Sequence, residues 1–299
     1  MNELLSFGVS INLWLQQFSP ALDIPFKAIT FCGEELFFLI FLPLIYWSIN
    51  RAAGARLLVL FLFSAWVNSF AKVIASDQRP YEYDSRVKAL QQLESGGFPS
   101  GHTQGSVVVW GYLAAAMKKK WLWVFAVIMM ILVPLSRLYL GVHDLPDLIG
   151  GYIIGFMLLV LFIWLEPVAV KWLKEKSLAV LLAISIIIPG IMIAVSPGHD
   201  EGCITAASTL MGMSAGFVLE RKYIGFTSEG TVIRRILRYI LGLVVIICLW
   251  IGLKIAFKGF EPALMFRFIR YLLIGLWGSF AAPWVFVKFK LADEEQNRG

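Results

Sequence analysis

Several stretches of this chain are almost uninterrupted oil, and that narrows what it can become. The runs at residues 56–75, 121–139, 177–196, 236–256 and 264–287 are nearly free of charge. Crossing the hydrocarbon core of a bilayer takes about 20 residues of helix. Lipid offers no partner to an open peptide group, so each run must satisfy its own backbone hydrogen bonds, and a helix does this. Only 15% of residues are charged and the mean hydropathy is +0.76, whereas a soluble domain carries roughly 25% charge. The fold class is therefore all-α, a polytopic transmembrane helical bundle.

Taken in order, residues 3–18 are amphipathic and short, which suits an interfacial helix ended by Pro20 and Pro25. A first span is expected over residues 34–49, with a helical lead-in from Phe26 and with Glu34 and Glu35 at its start, where carboxylates favour a helix N-terminus. Further spans follow at 56–75, 102–117, 121–139, 147–165, 177–196, a segment after Gly202, 236–256 and 264–287, about nine in all. Residues 1–170 are expected to form a membrane core with the interfacial helix, and residues 171–299 an addition of further spans. The polar tail from Asp293 to Gly299 reads as frayed.

The net charge of +6 is not a nucleic-acid footprint, because the basic residues sit at the ends of apolar runs. Most of the 26 lysines and arginines fall on one side if the turn after the first span faces inward: Arg51, Arg56, Lys118 to Lys120, Lys171, Lys174, Lys176, Arg221, Lys222, Arg234, Arg235, Arg238, Lys288, Lys290 and Arg298. Cytoplasmic loops carry such an excess. The chain then reads as a multi-pass protein of a cell or inner membrane, with its N-terminus outside. The start carries acidic Glu3 and no basic residue, unlike a cleavable signal peptide. Cys32, Cys203 and Cys248 have no metal-ligand or disulfide spacing and read as buried small apolar residues.

Three polar clusters interrupt the oil, all at span ends on the predicted outer face. The first is Lys72-x6-Arg79-Pro80. Lysine and arginine seven apart can share one helix face and could grip a phosphate, the first as a point charge and the second as a fork. An interfacial pair snorkelling to headgroups is the ordinary alternative. The second is Gly97-Phe98-Pro99-Ser100-Gly101-His102, a tight turn into a helix whose N–H groups can cradle an anion; its histidine could also be a simple cap. The third is Ser136-Arg137-x5-His143-x3-Asp147. If a helix begins near Pro146, Asp147 can reach one ring nitrogen of His143 and leave the other bare. Two of the three histidines in the chain lie in these clusters.

Together these motifs resemble the three-part signature of the type-2 phosphatidic acid phosphatase family, integral membrane lipid phosphate phosphatases related in fold to vanadium haloperoxidases. The resemblance covers residues 55–165 and leaves the last four spans unaccounted for. It implies that Lys72, Arg79 and Arg137 clamp the phosphate oxygens, with Ser100 and the Gly101 N–H assisting. It implies that His143 attacks phosphorus, that Asp147 orients His143, and that His102 protonates the leaving alkoxide and then activates water. Such chemistry calls for fixed cations and donors more than for a metal. No carboxylate cluster suggests a metal site, so activity without metal or other cofactor is expected.

The expected function is a membrane lipid phosphatase acting on a phosphomonoester or diphosphate headgroup at the outer face. The same histidine pair would also serve a phosphotransferase that passes the phosphoryl group to another lipid or sugar. A transporter is a third reading, but no inverted repeat is visible. Asp144 competes with Asp147 as the partner of His143. His199, Asp200 and Glu201 read as a solvated turn, or as a cover over the site. Arg267 and Arg270 could snorkel, pair with Glu261 or bind a second anion. Tyr81, Glu82, Tyr83 and Asp84 read as shaping the loop over the site.

Overall fold

The computed structural model describes residues 3–93 and 95–295. Among these the regular structure is helical, with one isolated antiparallel bridge between Phe226 and Glu294. The helices are α1 (Glu3–Gln16), α2 (Asp23–Phe31), α3 (Glu35–Leu44), α4 (Arg51–Ala75), α5 (Pro80–Tyr83), α6 (Gly101–Met117), α7 (Lys120–Tyr139), α8 (Leu145–Lys174), α9 (Leu178–Val195), α10 (Glu201–Tyr223), α11 (Val232–Ala256), α12 (Ala263–Leu276) and α13 (Ala282–Lys288). A π-helical turn, Ile45–Ile49, continues α3, and another, Trp277–Ala281, joins α12 to α13.

Among the described residues seven helices are long and apolar enough to cross a membrane, or eight if a bent pair counts as one span. That is fewer than the nine expected, for two reasons. The first span is the pair Asp23–Phe31 and Glu35–Ile49, bent by 49°. The piece after the bend rises about 1.5 Å per residue and falls short of a bilayer alone. The other is α6, whose 17 residues lie at the lower limit of a crossing. The fifth span, expected to end at residue 165, instead runs through α8 to Lys174. Glu166 lies just past that expected end, and Arg56 Nε meets its Oε1 at 3.0 Å, so the helix carries a paired charge and continues. The outward faces of the long helices are apolar: Ile153, Val160 and Trp164 on α8 are 63%, 62% and 73% exposed. Water does not tolerate such contiguous faces, and lipid does. The protein is an integral, multi-pass membrane protein.

The chain divides into two compact units, Met1–Phe38 with Val67–Leu165, and Leu39–Trp66 with Glu166–Gly299. In the first, α6 is the inner helix, and every residue from Thr103 to Ala114 is buried. It packs on α7, while α1 and α2 also pack on α7. Helix α8 comes so close that a Cβ on Gly151 would lie 2.7 Å from the Ser100 carbonyl oxygen, so only glycine permits the approach. Helix α1, expected at the interface, turns Asn12 and Gln16 inward and leaves Phe7 and Trp14 outside.

In the second unit α10 packs against α9 and α12, and a Cβ on Gly212 would meet the Leu272 carbonyl oxygen at 2.2 Å. Arg267 Nη2 pairs with Glu201 Oε2, and Arg267 Nη1 donates to Thr205 Oγ1 at 3.4 Å. The partner is therefore Glu201, not Glu261, whose Oε2 accepts the Ala263 N–H at 2.9 Å. Asp200 caps α10 through the Cys203 N–H at 2.8 Å, and His199 is exposed. Of the cysteines only Cys203 is buried. Cys32 is half-buried and Cys248 exposed, on a helix whose outer face is apolar. Arg298 and the tail from residue 296 lie outside the described residues.

Candidate active site

All eight residues singled out by the motifs belong to the first unit, at one end of its helices. Lys72 is in the last turn of α4, Arg79 caps α5, Ser100 caps α6, Arg137 is in the last turn of α7, and Asp147 is in the first turn of α8. Gly101 and His102 open α6, and His143 sits in the loop between α7 and α8.

Direct bonds lace the three motifs together. Arg79 Nη1 donates to the Val142 carbonyl at 2.6 Å, joining the first motif to the third. The Ser100 N–H donates to the Asp147 carbonyl at 3.0 Å, joining the second to the third. Lys72 Nζ donates to the carbonyls of Gly96 and Gly97 at 2.5 and 3.1 Å, tying α4 to the turn before Ser100. Ser100 Oγ accepts from Thr103 Oγ1 at 3.0 Å. Asn68 Nδ2 holds the turn through the Pro99 carbonyl at 3.3 Å and Gln104 Oε1 at 2.9 Å.

His143 is buried, and its Nδ1 lies 2.8 Å from Asp147 Oδ2. A carboxylate at that nitrogen makes it the protonated one and leaves Nε2 with a bare lone pair. Burial first, and then the positive charges of Arg137, Lys72 and Arg79, hold the imidazole well below the usual histidine range, so it is neutral at neutral pH; His102 adds to the same push. Asp144 has another task. Its Oδ1 accepts the Asp147 N–H at 3.1 Å and so caps α8, while its Oδ2 accepts from Tyr83 Oη at 2.9 Å.

The three cations differ in what they have left to give. Arg79 donates Nε to the Ser95 carbonyl at 2.8 Å and Nη2 to Ser95 Oγ and the Gly96 carbonyl at 3.2 and 3.1 Å. With Val142 counted, one Nη1 hydrogen remains. Lys72 has one hydrogen left. Arg137 is fully buried, yet among the described residues its Nε and Nη2 have no partner, and neither has Nε2 of His102. Buried donors are normally satisfied, so these point to a missing polar ligand. Two free guanidinium donors suit an oxyanion. Among the described residues no group of three or more His, Cys, Asp or Glu is placed to hold a metal ion.

Several contributors carried no motif. Asn12, fully buried on α1, donates Nδ2 to the carbonyls of Leu138 and His143 at 2.8 and 3.0 Å. Gln16 donates Nε2 to the carbonyls of Tyr139 and Lys88 at 3.1 and 2.8 Å, and its Oε1 accepts the Lys88 N–H at 2.9 Å. Thr30 and Gln91 hold Arg137. For Asn12, Gln16 and Thr30 the only signal in the sequence is a polar side chain in a largely apolar helix, and Gln91 has none within its polar loop.

Residues 53–171 match the PAP2 superfamily, and residues 204–294 match the PAP2 superfamily phosphatase transmembrane extension. Sphingosine-1-phosphate phosphatase 2 of Homo sapiens is 29% identical over 154 residues, covering 50% of this chain and 36% of that protein. Lipid A 4'-phosphatase of Bacteroides thetaiotaomicron is 33% identical over 94 residues, covering 29% of this chain and 42% of that protein. The crystal structure of a transmembrane PAP2 type phosphatidylglycerolphosphate phosphatase from Bacillus subtilis superposes with a TM-score of 0.48 at 24% identity, covering 59% of this chain and 89% of that one. The chain thus spans little more than a third of the length of the first curated relatives it matches. Two separate matches to one superfamily, over the three motifs and over the helices beyond them, place this chain in the PAP2 superfamily.

Proposed function

We propose that this chain hydrolyses the phosphomonoester or diphosphate headgroup of a membrane lipid through a phosphohistidine intermediate. One observation carries the reading: a neutral imidazole fixed by Asp147 shares a cluster with a buried arginine that has two free donors. His143 Nε2 directs its lone pair at phosphorus, an N–P bond forms, and the P–O bond to the lipid breaks. The leaving oxygen takes a proton from His102, which enters the step as the imidazolium, its charge favoured by the anionic phosphate bound beside it. Water then gives a proton to His102 and attacks phosphorus, the N–P bond breaks, and inorganic phosphate leaves with His143 neutral again. Arg137 takes two phosphoryl oxygens, Ser100 and the Gly101 N–H assist, and Lys72 and Arg79 supply charge with one remaining hydrogen each. Fixed cations do the neutralising, so no metal is required.

The basic residues gathered at the other ends of the spans support an extracytoplasmic site. Residues 1–170 would then hold the catalysis, and residues 171–299 would be an added membrane segment. The relatives' names point to sphingoid phosphates and lipid A phosphates as candidates, beside phosphatidic acid, phosphatidylglycerol phosphate and isoprenyl diphosphates. Phosphate release from these lipids in detergent, by wild type and by His143→Ala, tests the reading. Loss of the nucleophile should lower turnover by roughly 10⁴-fold or more, and EDTA should leave the wild type unchanged. Undiminished release by His143→Ala would refute the phosphohistidine route.

A further inference from the structure

The motifs name Arg137 but not what aims it. Both Nη1 hydrogens are engaged, by Thr30 Oγ1 at 2.6 Å and by Gln91 Oε1 at 2.8 Å. The free Nε–H and the adjacent Nη2–H leave the planar guanidinium along one edge, the edge that matches two oxygens of a phosphate. Whatever grips Nη1 therefore decides where that edge faces. Thr30 is buried on α2 and is a fixed point. Gln91 lies in the irregular segment between α5 and α6, and an amide can turn either end toward its neighbour. Only its oxygen suits a guanidinium; its NH₂ would place donor against donor.

The choice is made by a third residue. Gln91 Nε2 donates to Glu34 Oε1 at 3.0 Å. A carboxylate accepts only, so it holds the NH₂ end and turns Oε1 toward Arg137. Glu34 also places a negative charge behind the amide, which strengthens both bonds of the chain. The carboxylate that reads as a helix-start residue thus has a structural task further along the chain.

We propose that Gln91, oriented by Glu34, is a positioning residue that turns the open edge of Arg137 toward the substrate phosphate. This rests on the phosphatase reading. The full chain in detergent is assayed on the lipid that it hydrolyses fastest, with inorganic phosphate as the competing ligand. Gln91→Leu should raise the inhibition constant for phosphate and KM together by about tenfold, the worth of one hydrogen bond to a charged group, with kcat changed by less than about threefold. Glu34→Gln should raise both by about threefold, and Glu34→Asp should restore them to within about twofold. Unfolding temperatures accompany each assay.

A folded Gln91→Leu with unchanged phosphate inhibition overturns the proposal. So does a loss of kcat that follows the unfolding temperature while the inhibition constant stays put. If Gln91→Leu fails to fold, Glu34→Gln decides alone, and unchanged inhibition there overturns it. Full activity in His143→Ala would instead remove the phosphatase reading, a separate result.

Discussion

Each unit buries arginines, and the two dispose of them differently. In the second, Arg238 is fully buried and donates Nη1 to the carbonyls of Glu229, Thr227 and Leu291 at 2.9, 3.3 and 3.4 Å and Nη2 to that of Ser228, leaving only Nε unpaired. Arg51 meets Glu220 Oε2 at 2.6 Å and Glu295 Oε2 at 3.1 Å. These charges are closed: protein oxygens surround them and gather chain ends. In the first unit Arg137 is just as buried, but its outer edge is open. A buried cation with unused donors is costly, and a fold keeps one where a ligand completes it. On the proposed reading, the contrast separates an arginine that holds structure from one that would hold the substrate phosphate.

The sharpest way to break this contrast is to trade fork for point charge on both sides. Arg137→Lys keeps the charge and loses the paired donors, so kcat/KM should fall about 10²- to 10³-fold, while the unfolding temperature moves little. Arg238→Lys should leave kcat/KM within about twofold, since nothing it touches is motif. Equal losses at both positions would erase the distinction. Next in size is Arg238→Met. It strands up to four carbonyls, each buried unsatisfied group costing about 1–3 kcal/mol, so the unfolding temperature should drop with kcat unchanged in the surviving fold.

How much of this could be read from the sequence follows the same contrast. The motif residues were legible because charge is rare in this chain, so Lys72, Arg79, His102, His143 and Asp147 stand out against apolar spans. The helices were legible for the same reason, apart from ends where a charge is paired, as Glu166 is with Arg56. The supporting residues were not. Asn12 bonds carbonyls 126 and 131 residues away, and no local pattern encodes a partner that is backbone. Whether Asp144 or Asp147 reached His143 also hung on where α8 begins, which the spacing left open. Cys248 was misplaced because an apolar face toward lipid looks, in sequence, like one toward a core.

Asn12 sharpens the comparison from within the first unit. Asn12→Ala removes one bond to the loop that carries His143 and one to the last turn of α7 that leads into it. The loop should loosen, and kcat should fall by about tenfold, the scale of a misplaced reacting group, with KM for the lipid nearly unchanged because Arg137 is untouched. A change in KM alone would mean that α1 serves binding instead of the nucleophile.

The smallest expected effect is on stability against pH, and its sign follows from burial. His143 lies well below the usual histidine range when folded, and unfolded it returns to about 6.5. Below that pH the unfolded chain binds a proton that the folded one refuses. Stability therefore falls as pH falls from about 6.5 toward the lower folded value, by at most about 1.4 kcal/mol per pH unit. Asp144 acts oppositely, since burial raises its carboxyl; its contribution is present at low pH and fades as pH rises through the folded value. The two overlap, so a pH scan of the wild type alone does not isolate His143. The test compares unfolding temperatures of wild type and His143→Gln between pH 7 and pH 5.5. The wild type should lose more on acidification, and equal losses would show that His143 does not carry the buried neutral imidazole on which the proposed attack at phosphorus depends.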